Sequence, residues 1–263
     1  MPAAVDSYAF LDAPLPLAFA HRGGARDGIE NTMSTFAAAV DLGYRYIETD
    51  VHSTADGKLV AFHDRTLHRV TGVTGRIEEL TWERLRAVPV GTDERVPLLE
   101  DLLGTWPELR VNIDVKAELA VQPLISAIQR TGAIDRVCVG SFSDRRVAQV
   151  RKALGPGLCT ALGPREAVRL WRASFYPARG RGATRGVPCA QLPYRLGPVH
   201  VTDRRLLRQA HGLGMQVHVW TIDEPAEIES LLDLGVDGIM TDETVALRNV
   251  LISRGEWHPR VAG

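Results

Sequence analysis

The chain is poor in lysine: Lys58, Lys116 and Lys152 stand among 31 basic residues that are otherwise arginine, which makes each lysine worth inspecting. It is poor in cysteine as well. Cys138, Cys159 and Cys189 are odd in number, far apart and without CxxC spacing, which argues against a disulfide framework and predicts reduced, buried thiols in a cytoplasmic protein. No apolar run approaches the ~20 residues of a membrane span. Residues 11–20 carry two prolines with no basic segment before them, so they fail as a signal peptide and no transmembrane segment is expected. A net charge of −1 gives no bulk pull toward nucleic acid or a membrane surface. The Gly-rich phosphate turn of dinucleotide-binding folds is missing, and so is the HxH pair of a zinc barrel hydrolase.

What is present is a steady alternation of short apolar strands with amphipathic helices across 263 residues. Strands are predicted at 17–21, 46–51, 58–64, 110–116, 136–142, 158–163, 190–195, 216–222 and 238–242. Helices are predicted at 30–43, 120–132, 144–155, 164–173, 202–214 and 223–235, with Asn31 or Thr32 capping the first, Thr202 capping the fifth and Pro225 in the first turn of the last. Such βα repetition implies one parallel sheet closed as a (β/α)8 TIM barrel, for which about 250 residues is usual. The open doubly wound sheet is the alternative. Residues 1–16 read as an N-terminal extension of this single domain, and the turn-rich stretch 65–109 as an insertion after the third strand.

One segment resists the pattern. Only HSTADGK separates the second and third strands, too short for a parallel crossover of a dozen or more residues, and Asp56-Gly57 signals a tight turn. Either one strand is irregular there, or part of the segment forms a hairpin above the barrel mouth.

Chemistry gathers at strand ends, where barrels of this class carry their reactive groups. His21 ends the first strand, Glu48 and Asp50 the second, His63 the third, Asp114 and Lys116 the fourth, Trp220 a late one and Asp242 the last. Alternation in YIETDV puts Glu48 and Asp50 on one face, and Asn112, Asp114 and Lys116 share a face in VNIDVK. Two like charges a few ångströms apart repel unless a cation or proton intervenes. With Asp114 they make a hard oxygen set suited to one divalent cation, Mg2+ or Ca2+, rather than zinc. His52, His68, His200, His211, His218 and His258 read as structural or solvent-exposed.

The motifs HRGG (21–24), ENT (30–32), ETDVHSTADGKLVAFHD (48–64), NIDVK (112–116), VHVWTID (217–223) and GVDGIMTD (235–242) resemble, in order, those of the glycerophosphodiester phosphodiesterase family from about residue 17 to about residue 250. The resemblance implies a TIM barrel that hydrolyses glycerophosphodiesters to sn-glycerol 3-phosphate and an alcohol with one divalent cation. It implies His21 and His63 as the acid–base pair, Glu48, Asp50 and Asp114 as metal ligands, Arg22 and Lys116 as phosphate contacts, and Trp220 beside the glycerol or leaving group. It also implies attack by the substrate's own 2-hydroxyl through a cyclic phosphate. Asp114 stands where the family commonly has glutamate, and Ile29 where a proline usually precedes ENT.

The nearest alternative within the enzyme class is phospholipase D type cleavage of lysophospholipids, which would use the same core residues. A Schiff-base aldolase at Lys116 is disfavoured because the neighbouring carboxylates would hold the ammonium charged. A non-catalytic phosphate-binding barrel would not need both histidines. Residues 174–188 hold Arg179, Arg181 and Arg185 among glycines and read as a solvated loop, the sharper alternative being a lid over an anionic head group.

Overall fold

Nine strand segments were expected, and eight of them form the ring of a parallel barrel in the computed structural model of the protein, which describes residues 8–25, 28–176 and 186–260. They are β1 (Leu17–His21), β2 (Tyr46–Ser53), β3 (Arg110–Val115), β4 (Val137–Gly140), β5 (Cys159–Thr160), β6 (Cys189–Pro193), β7 (Gln216–Trp220) and β8 (Gly238–Thr241). Each pairs in parallel with its sequence neighbours, and β8 returns to β1. The ring closes between β5 and β6 through a single parallel bridge, Ala161↔Cys189.

The ninth segment, 58–64, is not a barrel strand. Leu59–Ala61 pairs antiparallel with β2, Val51 opposite Ala61 and Ser53 opposite Leu59. The physical reason is the turn between them: the Thr54 hydroxyl accepts from Lys58 N at 2.9 Å and donates to Asp56 Oδ1 at 2.7 Å, folding the chain straight back. The hairpin reading holds, and Arg110–Val115 becomes the third barrel strand rather than the fourth.

A helix follows each barrel strand: α1 (Met33–Asp41), α2 (Leu99–Thr105), α3 (Val121–Thr131), α4 (Asp144–Leu154), α5 (Pro164–Phe175), α6 (Arg204–Gly212), α7 (Pro225–Leu234) and α8 (Thr244–Ser253). Thr32 caps α1, its hydroxyl accepting from Thr35 N. The cap of α6 is Asp203, which accepts from Arg205 N and Leu206 N, and not Thr202, whose hydroxyl donates to Pro193 O at 3.1 Å. A carboxylate suits the positive end of a helix better than a hydroxyl.

Three apolar clusters result. The largest lies between strands and helices, with Phe36, Ile47, Ile113 and Leu124 fully buried, each such side chain contributing roughly 1.5–3 kcal/mol. A second fills the barrel interior and includes Phe19, Tyr46 and the three cysteines, all free thiols. Phe10, inside the expected extension, is 1% exposed there. The third joins the hairpin to the insertion, Val60 packing with Leu67, Ile77, Leu85 and Val96. Leu99–Thr105, expected within that insertion, instead belongs to the barrel's helical layer, because Leu99, Leu102 and Leu103 pack in the main core. Among the described residues no helix is long and apolar enough to cross a membrane.

Candidate active site

The HRGG sequence turns sharply at the end of β1, and its two glycines have separate steric reasons. Both have φ near +85° (83° and 90°); a Cβ on Gly23 would lie 2.7 Å from Thr35 Oγ1, and one on Gly24 would lie 2.8 Å from Thr244 Cγ2. Arg22 itself sits at φ 53°, a conformation that costs energy for a side-chain-bearing residue. That backbone aims Arg22 N at Glu48 Oε2, 3.2 Å away. Asn31, also left-handed at φ 54°, donates to Asp50 Oδ2 at 3.2 Å and accepts from the Thr49 hydroxyl at 2.7 Å. The ENT motif thus holds a carboxylate of the neighbouring strand while starting α1.

His21 is fixed at both ends. Its Nδ1 lies 2.7 Å from Asp242 Oδ1, and its Nε2 faces Glu48 Oε2 at 3.7 Å. Burial works against charging the ring, but Glu48 and Asp242 outweigh it and raise the imidazole's pKa. Glu48 is pushed up to about 8 by burial and by the charge of Asp50. Burial opposes ionisation of Asp50 too, yet Lys116, then Arg22 and His63, overcome it and lower its pKa. Burial raises Asp114.

Lys116 Nζ stands between Asp50 Oδ1 at 2.9 Å and Asp114 Oδ2 at 2.8 Å. Burial alone would lower the lysine, but Asp114 and Asp50 outweigh it and raise its pKa, the reverse of what a Schiff-base lysine needs. Arg22 Nη1 donates to both oxygens of Glu30, at 3.0 and 3.1 Å, while its Nε lies 3.2 Å from Asp50 Oδ2 without hydrogen-bond alignment. Its charge is therefore shared with Glu30, a partner that the sequence reading did not give it.

His63 follows the hairpin strand, on the same mouth, with Nδ1 2.5 Å from Asp64 Oδ1. Arg69, from the insertion, binds Asp64 at 2.6 Å and both oxygens of Glu30 at 2.6 and 2.9 Å. One chain of charge therefore runs from Arg22 through Glu30 and Arg69 to Asp64 and His63. Sequence reasoning missed Glu30, Asp64 and Arg69, and noted Asp242 only as a strand end. Glu30 and Asp64 lie inside the quoted motifs; nothing local marks Arg69.

His21, Arg22, Glu48, Asp50, His63, Asp114, Lys116 and Trp220 all line one pocket of about 650 Å³ at the C-terminal mouth of the barrel. Phe142 meets Trp220 edge-on at 5.7 Å, and Lys116 Nζ lies 5.6 Å from the Phe142 ring centre. The pocket also has apolar lining from the loop after β5, from α5 and from the segment after β6: Leu162, Val168, Trp171, Leu196 and Val199. Arg179, Arg181 and Arg185 lie outside the described residues.

The carboxylates fit a hard divalent cation by donor chemistry, and Asp114 Oδ1 is a buried oxygen with no hydrogen-bond partner, as a ligand atom would be. The ammonium of Lys116 stands between Asp50 and Asp114 and is their counter-charge. Among the described residues, the three cysteines are the one trio whose ligand atoms lie within 4.8 Å of each other. Glu48, Asp50 and Asp114 line the same pocket without closing to that spacing.

The profile of the glycerophosphoryl diester phosphodiesterase family matches residues 21–246. A Mycobacterium tuberculosis protein named "Probable glycerophosphodiester phosphodiesterase 2" is 42% identical over 246 residues, covering 92% of each chain. The Mus musculus lysophospholipase D GDPD1 is 30% identical over 276 residues, covering 88% of this chain and 84% of its own. Among solved structures, an Oleispira antarctica phosphodiesterase in complex with the product sn-glycerol-3-phosphate superposes with a TM-score of 0.74 at 20% identity, covering 90% of this chain and 97% of that one. At that identity the likeness carries the fold.

Proposed function

Since the chain belongs to the glycerophosphoryl diester phosphodiesterase family, we propose that it hydrolyses glycerophosphodiesters to sn-glycerol 3-phosphate and an alcohol. The observation that carries this reading is the meeting of two histidines from distant sequence positions, each with a carboxylate on Nδ1, at one acidic and basic pocket mouth.

In the proposed reaction one histidine takes the proton of the substrate's 2-hydroxyl as its oxygen attacks phosphorus. The other gives a proton to the departing alkoxide as its P–O bond breaks, leaving a cyclic phosphate. Water then opens the ring with the roles reversed. Asp242 and Asp64 orient the two imidazoles by accepting from Nδ1, which leaves each Nε2 for the proton transfers. Glu48, Asp50 and Asp114 would hold one divalent cation, Mg2+ or Ca2+, whose chemistry when bound is to neutralise the phosphate and assist ionisation of the attacking oxygen. Lys116 and Arg22, the cations at the pocket, would meet the phosphate. Trp220 packs against the glycerol or the leaving group.

A second reading, release of the head group from lysophospholipids, is favoured by one observation, the apolar wall of Leu162, Val168, Trp171, Leu196 and Val199. An acyl chain would cover it.

The test is release of glycerol 3-phosphate from a panel of glycerophosphodiesters, with one lysophospholipid alongside, under Mg2+, Ca2+ or EDTA. The proposal expects turnover that EDTA removes and a loss of about 10²–10⁴-fold in His21→Ala and His63→Ala. Full activity in either variant would remove the histidine pair, and full activity in EDTA the cation.

A further inference from the structure

The three cysteines take no part in that chemistry, yet they are not scattered. Cys138, Cys159 and Cys189 each lie two residues before a residue lining the pocket, Gly140, Ala161 and Gln191 respectively. The strand period of two therefore points all three into the barrel, one layer beneath the pocket floor. Cys138 is directly opposite Cys159 in the β4–β5 register, and Cys189 faces Ala161 in the bridge that closes the ring. The three sulfurs lie within 4.8 Å of one another, Cys138 to Cys189 at 3.9 Å, and each residue is at most 1% exposed.

We propose that Cys138, Cys159 and Cys189 form a soft-metal site that takes one Zn2+ ion inside the barrel, separate from the carboxylates above. With Zn–S bonds of about 2.3 Å, tetrahedral geometry spaces sulfurs about 3.8 Å apart, close to the 3.9 Å already present between Cys138 and Cys189. Thiolates select zinc or cuprous ions over Mg2+ and Ca2+. Three thiolates leave a net charge near −1 with Zn2+ and near −2 with Cu+, and the surrounding layer is apolar, so the lower charge is favoured.

A buried histidine on the next strand stands outside that cluster. His218, on β7 beside β6, is 0% exposed, and its Nδ1 has no hydrogen-bond partner, while Nε2 lies 3.1 Å from Gln216 Oε1. It is level with Gln191 in the β6–β7 register, where Gln216 is level with Cys189. The site therefore rests on the three thiolates.

The location gives the ion a use. Strands β5 and β6 meet through one bridge, in which Leu162 N donates to Cys189 O at 3.1 Å, and through the Cys189 thiol, which donates to Thr160 O at 3.8 Å. It is the one seam of the ring without a strand ladder among the described residues. An ion joining Cys159 to Cys189 would staple that seam directly under the substrate pocket.

The test loads the full-length protein with Zn2+ during reductive refolding and then washes it with EDTA. The expected result is one zinc retained per chain, a higher Tm than the metal-free protein, and an X-ray absorption spectrum with three sulfur neighbours at about 2.3 Å. Cys159→Ser and Cys189→Ser are each expected to lose the retained zinc while keeping the circular dichroism of the fold. Protein that retains no zinc, zinc surrounded by oxygen and nitrogen alone, or zinc undiminished in both variants would overturn the site. If the serine variants fail to fold, the absorption spectrum of the unmodified protein decides.

Discussion

His21 Nδ1 lies 2.7 Å from Asp242 Oδ1, so the last barrel strand sets the tautomer of a histidine on the first. A carboxylate only accepts, so the ring's proton sits on Nδ1 and Nε2 is turned toward Glu48 and the pocket. Asp242→Asn removes a negative charge that raises the imidazole's pKa. The expected outcome is a loss in kcat/KM of about 10- to 10³-fold and a shift of the pH–rate limb set by His21 toward lower pH. A profile from pH 5 to 9 checks it; an unmoved limb would mean that the contact only positions the backbone.

Glu48 gives a prediction about stability. Its carboxyl is pushed up to about 8 in the folded protein by burial and Asp50, from 4.5 for an exposed group. A raised folded-state pKa means that the native chain holds a proton the unfolded chain has released, so this stabilisation is complete below about pH 4.5 and fades as pH climbs toward 8. In EDTA, Glu48→Gln should match the unmodified protein near pH 5 and exceed it near pH 8, by about 4 kcal/mol at most. Urea unfolding at the two pH values measures this. Equal stability of the two proteins at pH 8 would contradict the burial account.

The same geometry explains what could be read from the chain in advance. Strand alternation placed Glu48, Asp50, Asp114 and Lys116 correctly, because parity is a local property. At Leu59–Ala61 the irregular strand and the hairpin both stay open in the sequence, because a short apolar run says nothing of its partner's direction. Arg69 was invisible because its value depends on the insertion folding back over Glu30. The cysteine trio was hidden in the same way: residues 21 and 30 positions apart become neighbours only when the ring closes.

Lys116 carries a prediction about the cation. It bridges Asp50 and Asp114, whose side chains are 2% and 13% exposed, so Lys116→Met leaves two carboxylates facing each other without a counter-charge. In EDTA a loss of roughly 2–4 kcal/mol is expected, below that of a fully enclosed pair because the pocket is open to water. Mg2+ or Ca2+ should restore much of this by binding the folded state alone, and should raise the variant's Tm more than that of the unmodified protein. If neither ion moves either Tm, the carboxylates hold no cation.

The apolar wall separates the two substrate readings. Val168 is 55% and Leu196 64% exposed, high for branched aliphatic residues that line a pocket, and an acyl chain laid on them would remove that surface from water. A glycerophosphodiester whose alcohol carries no acyl chain has no apolar surface to lay on them. The double change Val168→Asp and Leu196→Asp should therefore leave kcat/KM for glycerophosphodiesters within about twofold. For a lysophospholipid it should raise KM by about 10-fold or more, since each displaced contact is worth roughly 1 kcal/mol. The comparison is made on one protein preparation, so unequal folding cannot mimic it. Equal losses on both substrates would show that the wall only supports the mouth, and no loss on either would leave glycerophosphodiesters as the substrate class.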